Sequence, residues 1–516
     1  NAFTGALTIT TNDSSGTDAD VTIDGGTTAL IIAASTIDGD LTLTSGNASG
    51  ITDSGTVTVG GNLSATTDAN AGVINLGTMA VDGSFTLAPN GSGAVTIVND
   101  AALTLAASTM GGTFSGTATT GDITDSGTLT ITGAATFKTG ADGSNIVLDS
   151  SSNAFSAAVT MIADAGGEDF GNITFVDSAA IDFATSASSN GDLYINSSTD
   201  GTVGGNLSVT ATTGNITDTV ALAVTGTTTL VTSADNGTIV LDVATNAFTG
   251  ALTITTNDSS GTDADVTIDG GTTALIIAAS TIDGDLTLTS GNASGITDSG
   301  TVTVGGNLSA TTDANAGVIN LGTMAVDGSF TLAPNGSGAV TIVNDAALTL
   351  AASTMGGTFS GTATSGNITD SGALAITGTT TLVTSADNGT IVLDVTTNAF
   401  TGALTITTND SSGTDADVTI DGGTTALIIA ASTIDGDLTL TSGNASGITD
   451  SGTVTVGGNL SATTDANAGV INLGTMAVDG SFTLAPNGSG AVTIVNDAAL
   501  TLAASTMGGT FSGTAT

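Results

Sequence analysis

The sequence predicts an all-β protein wound as a right-handed parallel β-helix, a β-solenoid with about three short strands per coil of roughly 21–34 residues. Three observations predict it. Long blocks recur without change, a short glycine-led segment recurs inside them, and apolar residues alternate with threonine and serine at the period of a strand.

The long repeat comes first. Residues 1–119 recur identically at 246–364 and at 398–516, offsets of 245 and 397. The stretches 120–245 and 365–397 between them diverge. We read 1–516 as one continuous β-solenoid. The first residue is Asn1 and both ends fall inside a repeat, which fits a processed chain or a segment of something longer.

The finer period opens on (D/G/T)-G-x-(L/F), as in DGDLTL from Asp38, GGNLSA from Gly60, DGSFTL from Asp82 and GGTFSG from Gly111. From Gly5 through Gly39, Gly61, Gly83, Gly112 and Gly133 to Ala157 the intervals are 34, 22, 22, 29, 21 and 24 residues. Each segment holds up to three strand-like pieces; after Gly39 they are DLTLTS, GITD and TVTV. Gly, Asn, Asp and Ser separate the pieces, as turns require. Leu41 and Leu43 face one way and Thr42 and Thr44 the other, and Val57 and Val59 repeat this against Thr56 and Thr58. Such short strands bury an apolar face only when coil stacks on coil, each strand pairing with its equivalent in the next. The intervals of 34 and 29 leave room for a bulged loop or an extra strand, for instance TALIIAAS from Thr28. The interval of 14 after Gly191 is too short for three strands. At the ordinary strand spacing, about 20 coils make a rod of roughly 95 Å. A β-sandwich array or a propeller would need longer strands or a larger repeat.

The expected core is Leu, Ile and Val, with Phe85, Phe114 and Phe137 where space allows. Proline occurs only at Pro89, Pro334 and Pro486, which suits continuous ladders. Apolar residues make up 39% of the chain, so its charge of −46 does not read as disorder. Lys138 is the single basic residue against 47 acids, nearly all Asp, with Glu168 the one glutamate. One cation does not neutralise a phosphate backbone, so nucleic acid is excluded as a partner. An anionic membrane surface repels the chain, and no apolar run approaches the ~20 residues that span a bilayer. With no His and no Cys, neither a Ser-His-Asp triad nor an ordinary zinc site exists. We therefore expect no enzyme. A polysaccharide-processing β-helix is the least favoured reading, because the identical blocks would triplicate any site.

Acids recur at the end of the second strand of successive coils: Asp24, Asp53, Asp100, Asp125, Asp149, Asp177, Asp218 and Asp242, with Asn75 in the place once. One reading is turn chemistry, each Asp capping a corner through its own backbone. The other is a column of metal sites, with Ca²⁺ or Mg²⁺ bridging carboxylates and carbonyls. Ca²⁺ is the one candidate cofactor, and the G-G-x-G-x-D signature of calcium-binding β-rolls is absent. Thr8, Thr42, Thr86, Thr136, Thr160 and Thr229, with Ser64, Ser115 and Ser208 between, form an outward hydroxyl column. It reads as solvent-facing strand residues or as an ice- or carbohydrate-binding face. NDS, NAS, NLS and NGS match the glycosylation sequon, close to chance in a chain so rich in Asn, Ser and Thr.

Coils such as GNLSVTATTGNITDTVALAVTGTTTL, from Gly205, resemble those of filamentous-haemagglutinin-type exoproteins and other giant repetitive bacterial adhesins. The resemblance spans essentially the whole chain. It implies secretion, a cell-surface or released fibre, and no catalytic residues. The expected function is a structural rod segment of an extracellular bacterial surface fibre, adhesin stalk or filament. Its ladders would stiffen it and its charge would keep it soluble. Expected partners are further copies or the continuation of the same chain, and glycans or surfaces.

Overall fold

The structure is a computed structural model. It describes the chain apart from residues 13–15, 17, 164–170, 185–191, 196–201, 258, 260–262, 410, 412 and 414. The chain divides into two compact units, Asn1–Ala264 and Asp265–Thr516. Each is a β-solenoid: among the described residues there is no helix, and successive coils pair by parallel ladders.

The basic coil of the first unit has one five-residue strand, Leu41–Ser45, and two three-residue strands, Ile51–Asp53 and Val57–Val59. Alternation does what the sequence requires of it. Leu41, Leu43, Val57 and Val59 are buried, while Thr42 and Thr44 are half-buried and Thr58 is exposed. Leu41 stacks on Leu63 and Leu63 on Phe85, so one inward column is continuous over three coils. Phe85, Phe114 and Phe137 are all buried. Phe114, Phe137, Phe155 and Phe175 form an aromatic run inside the coils, with successive centroids 5.1, 6.1 and 5.1 Å apart.

The expectation that each first strand sits on the next first strand fails at one kind of place. Ser84–Ala88 does not pair with Phe114–Ala118; its ladder partner is Leu103–Leu105, with Thr104 opposite Ser84. Phe114–Ala118 stacks instead on Val95–Asn99, which stacks on Ile74–Val81. The cause is the extra strand the 29-residue interval holds. Between Gly83 and Gly112 lie four strands, Ser84–Ala88, Val95–Asn99, Leu103–Leu105 and Ser108–Met110. Three strands return the chain to the same sheet, and a fourth carries it on to the opposite one. The 34-residue interval does the same. Leu7 and Thr10 bridge to Ile32 and Thr36, so one strand-like stretch meets both Leu30–Ile32 and Ser35–Ile37, while Val21–Asp24 is the added strand.

The short interval after Gly191 has a different solution. Gly191 itself lies outside the described residues. Asp192–Ile195 inserts out of chain order, with Leu193 opposite Val159 on one side and Phe183 on the other.

The second unit repeats the scheme. Ser329–Ala333 stacks on Leu348–Leu350, while Val340–Asn344 carries Phe359–Ala363.

Among the described residues, two inward threonines stand apart from the other buried polar residues. Thr228, between Leu207 and Leu252, and Thr380, between Phe359 and Leu404, are buried with hydroxyls that have no hydrogen-bond partner. A stranded polar atom costs its desolvation. Thr228→Val and Thr380→Val are each expected to stabilise the coil by about 1 kcal/mol. Slower amide exchange at the flanking strands would record the gain, and faster exchange would contradict it.

Candidate functional sites at the coil corners

Three of the corner aspartates share a chemistry: Asp53, Asp125 and Asp218, each ending a short strand, accept hydrogen bonds from the coil that follows. Asp53 takes Gly77 N at 2.7 Å and the Thr78 hydroxyl. Asp125 takes Asp149 N at 2.9 Å, Ser150 N at 3.2 Å and Asn153 Nδ2 at 2.7 Å. Asp218 takes Asp242 N at 3.0 Å and Asn246 Nδ2 at 2.6 Å. Asp177, 3% exposed, takes Phe155 N at 3.1 Å. Asp24 follows the expected pattern of capping its own turn, through Gly26 N at 2.7 Å, and Asp177 also accepts from the amides of its own Ser178 and Ala179. Burial pushes the Asp177 carboxyl up to about 6, opposed by the backbone donors of Phe155, Ser178 and Ala179. Burial also raises Asp218.

The eight aspartates do not form one column. Asp53, Asp100, Asp218 and Asp242 lie on or beside strands of one sheet, and Asp24, Asp125, Asp149 and Asp177 on or beside strands of the other. None is the ladder partner of another: Asp24 faces Thr44, Asp53 faces Ile32, Asp125 faces Leu105, Asp177 faces Ala211 and Asp218 faces Phe183. Asn75 faces Thr52 and so stands one residue off the position of Asp53. Asp100, Asp149 and Asp242 are exposed and follow their strands. Among the described residues no group of three or more carboxylates gathers as a metal site would need.

The hydroxyl column divides in the same way. Thr42, Ser64 and Thr86 stack on one sheet, Ser115, Thr136 and Thr160 on the other, and Ser208 and Thr229 return to the first.

Two sets of residues do more than the sequence reading assigned them. The first is the x position of the coil-opening motif. Asp20 accepts Asp40 N at 2.9 Å, Asp40 accepts Asn62 N at 2.6 Å and Asn62 accepts Ser84 N at 2.9 Å, so one side chain per coil holds the next coil's backbone. The chain of bonds resumes through Asp122, Asn145, Asn172 and Asn206 to Thr227 N. The second is the buried asparagine ending Val95–Asn99. Asn99 Oδ1 accepts Val81 N at 2.9 Å and its Nδ2 donates to Val81 O at 3.0 Å, replacing a strand where the chain turns away. Asn344 and Asn496 repeat it.

The sequon amides are also engaged: Asn47 Nδ2 donates to Thr27 O at 2.9 Å, Asn62 Nδ2 to Asp40 Oδ1 at 3.2 Å and Asn90 Nδ2 to Asp68 O at 2.7 Å. Asn12, in NDS, precedes residues outside the described set.

Stacked parallel coils locked by corner side chains define a repeat β-solenoid protein. A family model described as repeats of unknown function (DUF5649) matches residues 18–82, 92–162, 170–255, 263–327 and 337–407. These stretches make up more than half of the sequence, and the chain belongs to that family of repeats. No curated protein and no solved structure matches it.

Proposed function

We propose that the chain is a structural, non-catalytic segment of an extracellular bacterial surface fibre, an adhesin stalk or filament of the filamentous-haemagglutinin-like kind. The observation that carries this reading is where the acids spend their lone pairs. The carboxylates at Asp53, Asp125 and Asp218, and at Asp298, Asp370 and Asp450 in the second unit, bind donors of the adjacent coil. Residues that would be reactive elsewhere serve here to hold coil to coil. Repetition then sets length, and the charge of −46 keeps neighbouring fibres apart.

Secretion to the cell surface, association with further copies or with the rest of the same chain, and contact with glycans or surfaces belong to this proposal. Nucleic acid does not, given one Lys in 516 residues. No helix among the described residues is long and apolar enough to cross a membrane, and membrane insertion is not part of the reading.

Immunogold electron microscopy of the producing cells, with antibody against residues 120–245, tests it. Label along thin filaments outside the cell is the expected result. Label confined to the cell interior, or on compact particles, overturns the proposal.

A further inference from the structure

The strand Ile74–Val81 carries a register shift against Val95–Asn99, between Ile97 and Asn99. Gly77 and Thr78 lie at this bulge, and a surface cleft of about 260 Å³ opens there. Its lining includes Thr56, Gly77, the buried Met79, Val98 and Asp100. The same cleft recurs in the second unit, about 270 Å³ around Gly322, Met324 and Asp345, and about 240 Å³ around Gly474, Met476 and Asp497.

Two features separate these clefts from ordinary surface relief. The first is the glycine. Gly77 is not among the residues of positive φ, and a Cβ built on it meets nothing within 4 Å. At Gly322 and Gly474 the nearest atom is an aspartate oxygen at 4.0 Å. Neither backbone conformation nor packing therefore demands glycine, and any larger side chain would stand in the cleft. A strand glycine with this profile marks a place where another group comes close to the backbone. The second is the carboxylate. Asp53, beside the cleft, is committed to Gly77 N and the Thr78 hydroxyl, but among the described residues no hydrogen bond reaches the side-chain oxygens of Asp100. Its backbone alone is engaged, through Met79 O and the Thr120 hydroxyl.

We propose that each cleft receives a protonated amine, the lysine head group of a basic segment on a partner protein. The cleft offers a free carboxylate and threonine hydroxyls for an ammonium, and Met79 and Val98 for the methylenes behind it. The chain has 47 acids against one lysine, so its field draws cations to such sites. A sugar ring fits the chemistry less well, because no aromatic side chain lines the cleft to stack against it. A lone exposed ion pair is weak; the discrimination comes from the shape of the cleft, and strength from engaging more than one site.

The test is fluorescence anisotropy of rhodamine-labelled tetralysine amide against the full chain in 150 mM NaCl, a concentration that suppresses diffuse attraction. Gly77→Val, Gly322→Val and Gly474→Val together fill the three clefts without altering charge. They are expected to weaken binding about tenfold or more. Asp100→Asn, Asp345→Asn and Asp497→Asn together should weaken it by a similar factor. The control set Asp82→Asn, Asp327→Asn and Asp479→Asn removes the same number of exposed charges away from the clefts and should change it less than about twofold. Circular dichroism verifies that each variant keeps its sheet content. Equal affinity of the glycine variant and the parent overturns the proposal, as does a control set that weakens binding as much as the cleft set. Displacement of tetralysine by millimolar methyl glucoside but not by free lysine amide overturns the choice of an amine. The assay reads binding in solution, so its failure leaves the fibre proposal intact.

Discussion

Gly295→Ala is expected to open its coil locally, at a cost of about 2–5 kcal/mol. Gly295 has φ +66, and a Cβ there would be driven into the carbonyl of Val318 in the next coil. That carbonyl is not free to retreat, since it accepts Ile296 N at 2.9 Å. The turn is fixed from the other side as well. Gly295 N donates to Asn292 O at 2.9 Å, Asn292 Oδ1 accepts Ser294 N at 2.9 Å, and Asn292 Nδ2 donates to Thr272 O at 2.9 Å. Left-handed backbone is not by itself forbidden here: Ala316, in the next coil, has φ 62 and is accommodated. The clash makes the difference, and Ala316→Gly is the control, expected to change stability by under about 1 kcal/mol. Long repeat arrays do not unfold in one step, so the measurement is hydrogen exchange of the amides at Ile296 and Ile319. In Gly295→Ala they should exchange on the order of a hundredfold faster or more. Exchange no faster than in the Ala316→Gly control would show that the coil gives way at little cost. Gly50 and Gly447 sit in identical corners, against Val73 O and Val470 O.

The fold class was legible because it rests on local signals that stacking only reinforces. Leu-Thr-Leu alternation, a glycine before each coil and turn residues between strands all say the same thing. The phase of stacking was not legible. Phe85 in SFTLA and Leu105 in LTL carry the same inward pattern, and only the number of strands between Gly83 and Gly112 decides that they meet. One extra strand moves the coils that follow to the opposite sheet, until a later irregular coil moves them back, as at Ser208 and Thr229. That is why the eight aspartates and the threonines, aligned correctly as letters, divide between two faces in space.

The corner acids were legible as corner acids. Their partners were not, because the donors lie 24–28 residues ahead, in the next coil. The ladder from Asp20 to Ser84 left a trace that could have been used. The variable position of the opening motif is Asp at Asp40, Asn at Asn62 and Ser at Ser84, all residues able to accept a backbone N–H. The clefts left a fainter one, a glycine within an otherwise unbroken strand pattern, INLGTMAV.

The same comparison of letters isolates Asp177. VTIVN ends in the buried Asn99 and ITFVD in the buried Asp177, and both accept a backbone N–H from the end of a strand two earlier in the chain, Val81 and Phe155 respectively. The fold thus uses one device twice, once neutral and once ionisable. An unfolded aspartate titrates near 3.9, and in the folded coil burial holds the proton on Asp177 to about 6. Below about pH 4 the carboxyl is protonated in both states and costs nothing. As pH rises through 4 to 6 the unfolded chain releases its proton first, so stability falls, and above 6 the buried charge carries its full penalty. Asp177→Asn removes the ionisation, keeps an oxygen for Phe155 N, and supplies a donor of the kind Asn99 Nδ2 uses on Val81 O. It gives up the stronger bonds that a charged oxygen makes to the Ser178 and Ala179 amides. Balancing the two, the variant is expected to be more stable than the parent by about 1–3 kcal/mol at pH 7.5 and indistinguishable from it at pH 4. Amide exchange of Phe155 and Phe175, corrected for the intrinsic dependence of exchange on pH, reads the difference at both ends of the range. A gain of equal size at pH 4 and pH 7.5 would assign the effect to packing and remove the ionisation from the account. A loss at pH 7.5 would mean that the carboxylate bonds to the Phe155, Ser178 and Ala179 amides outweigh the cost of burying its charge.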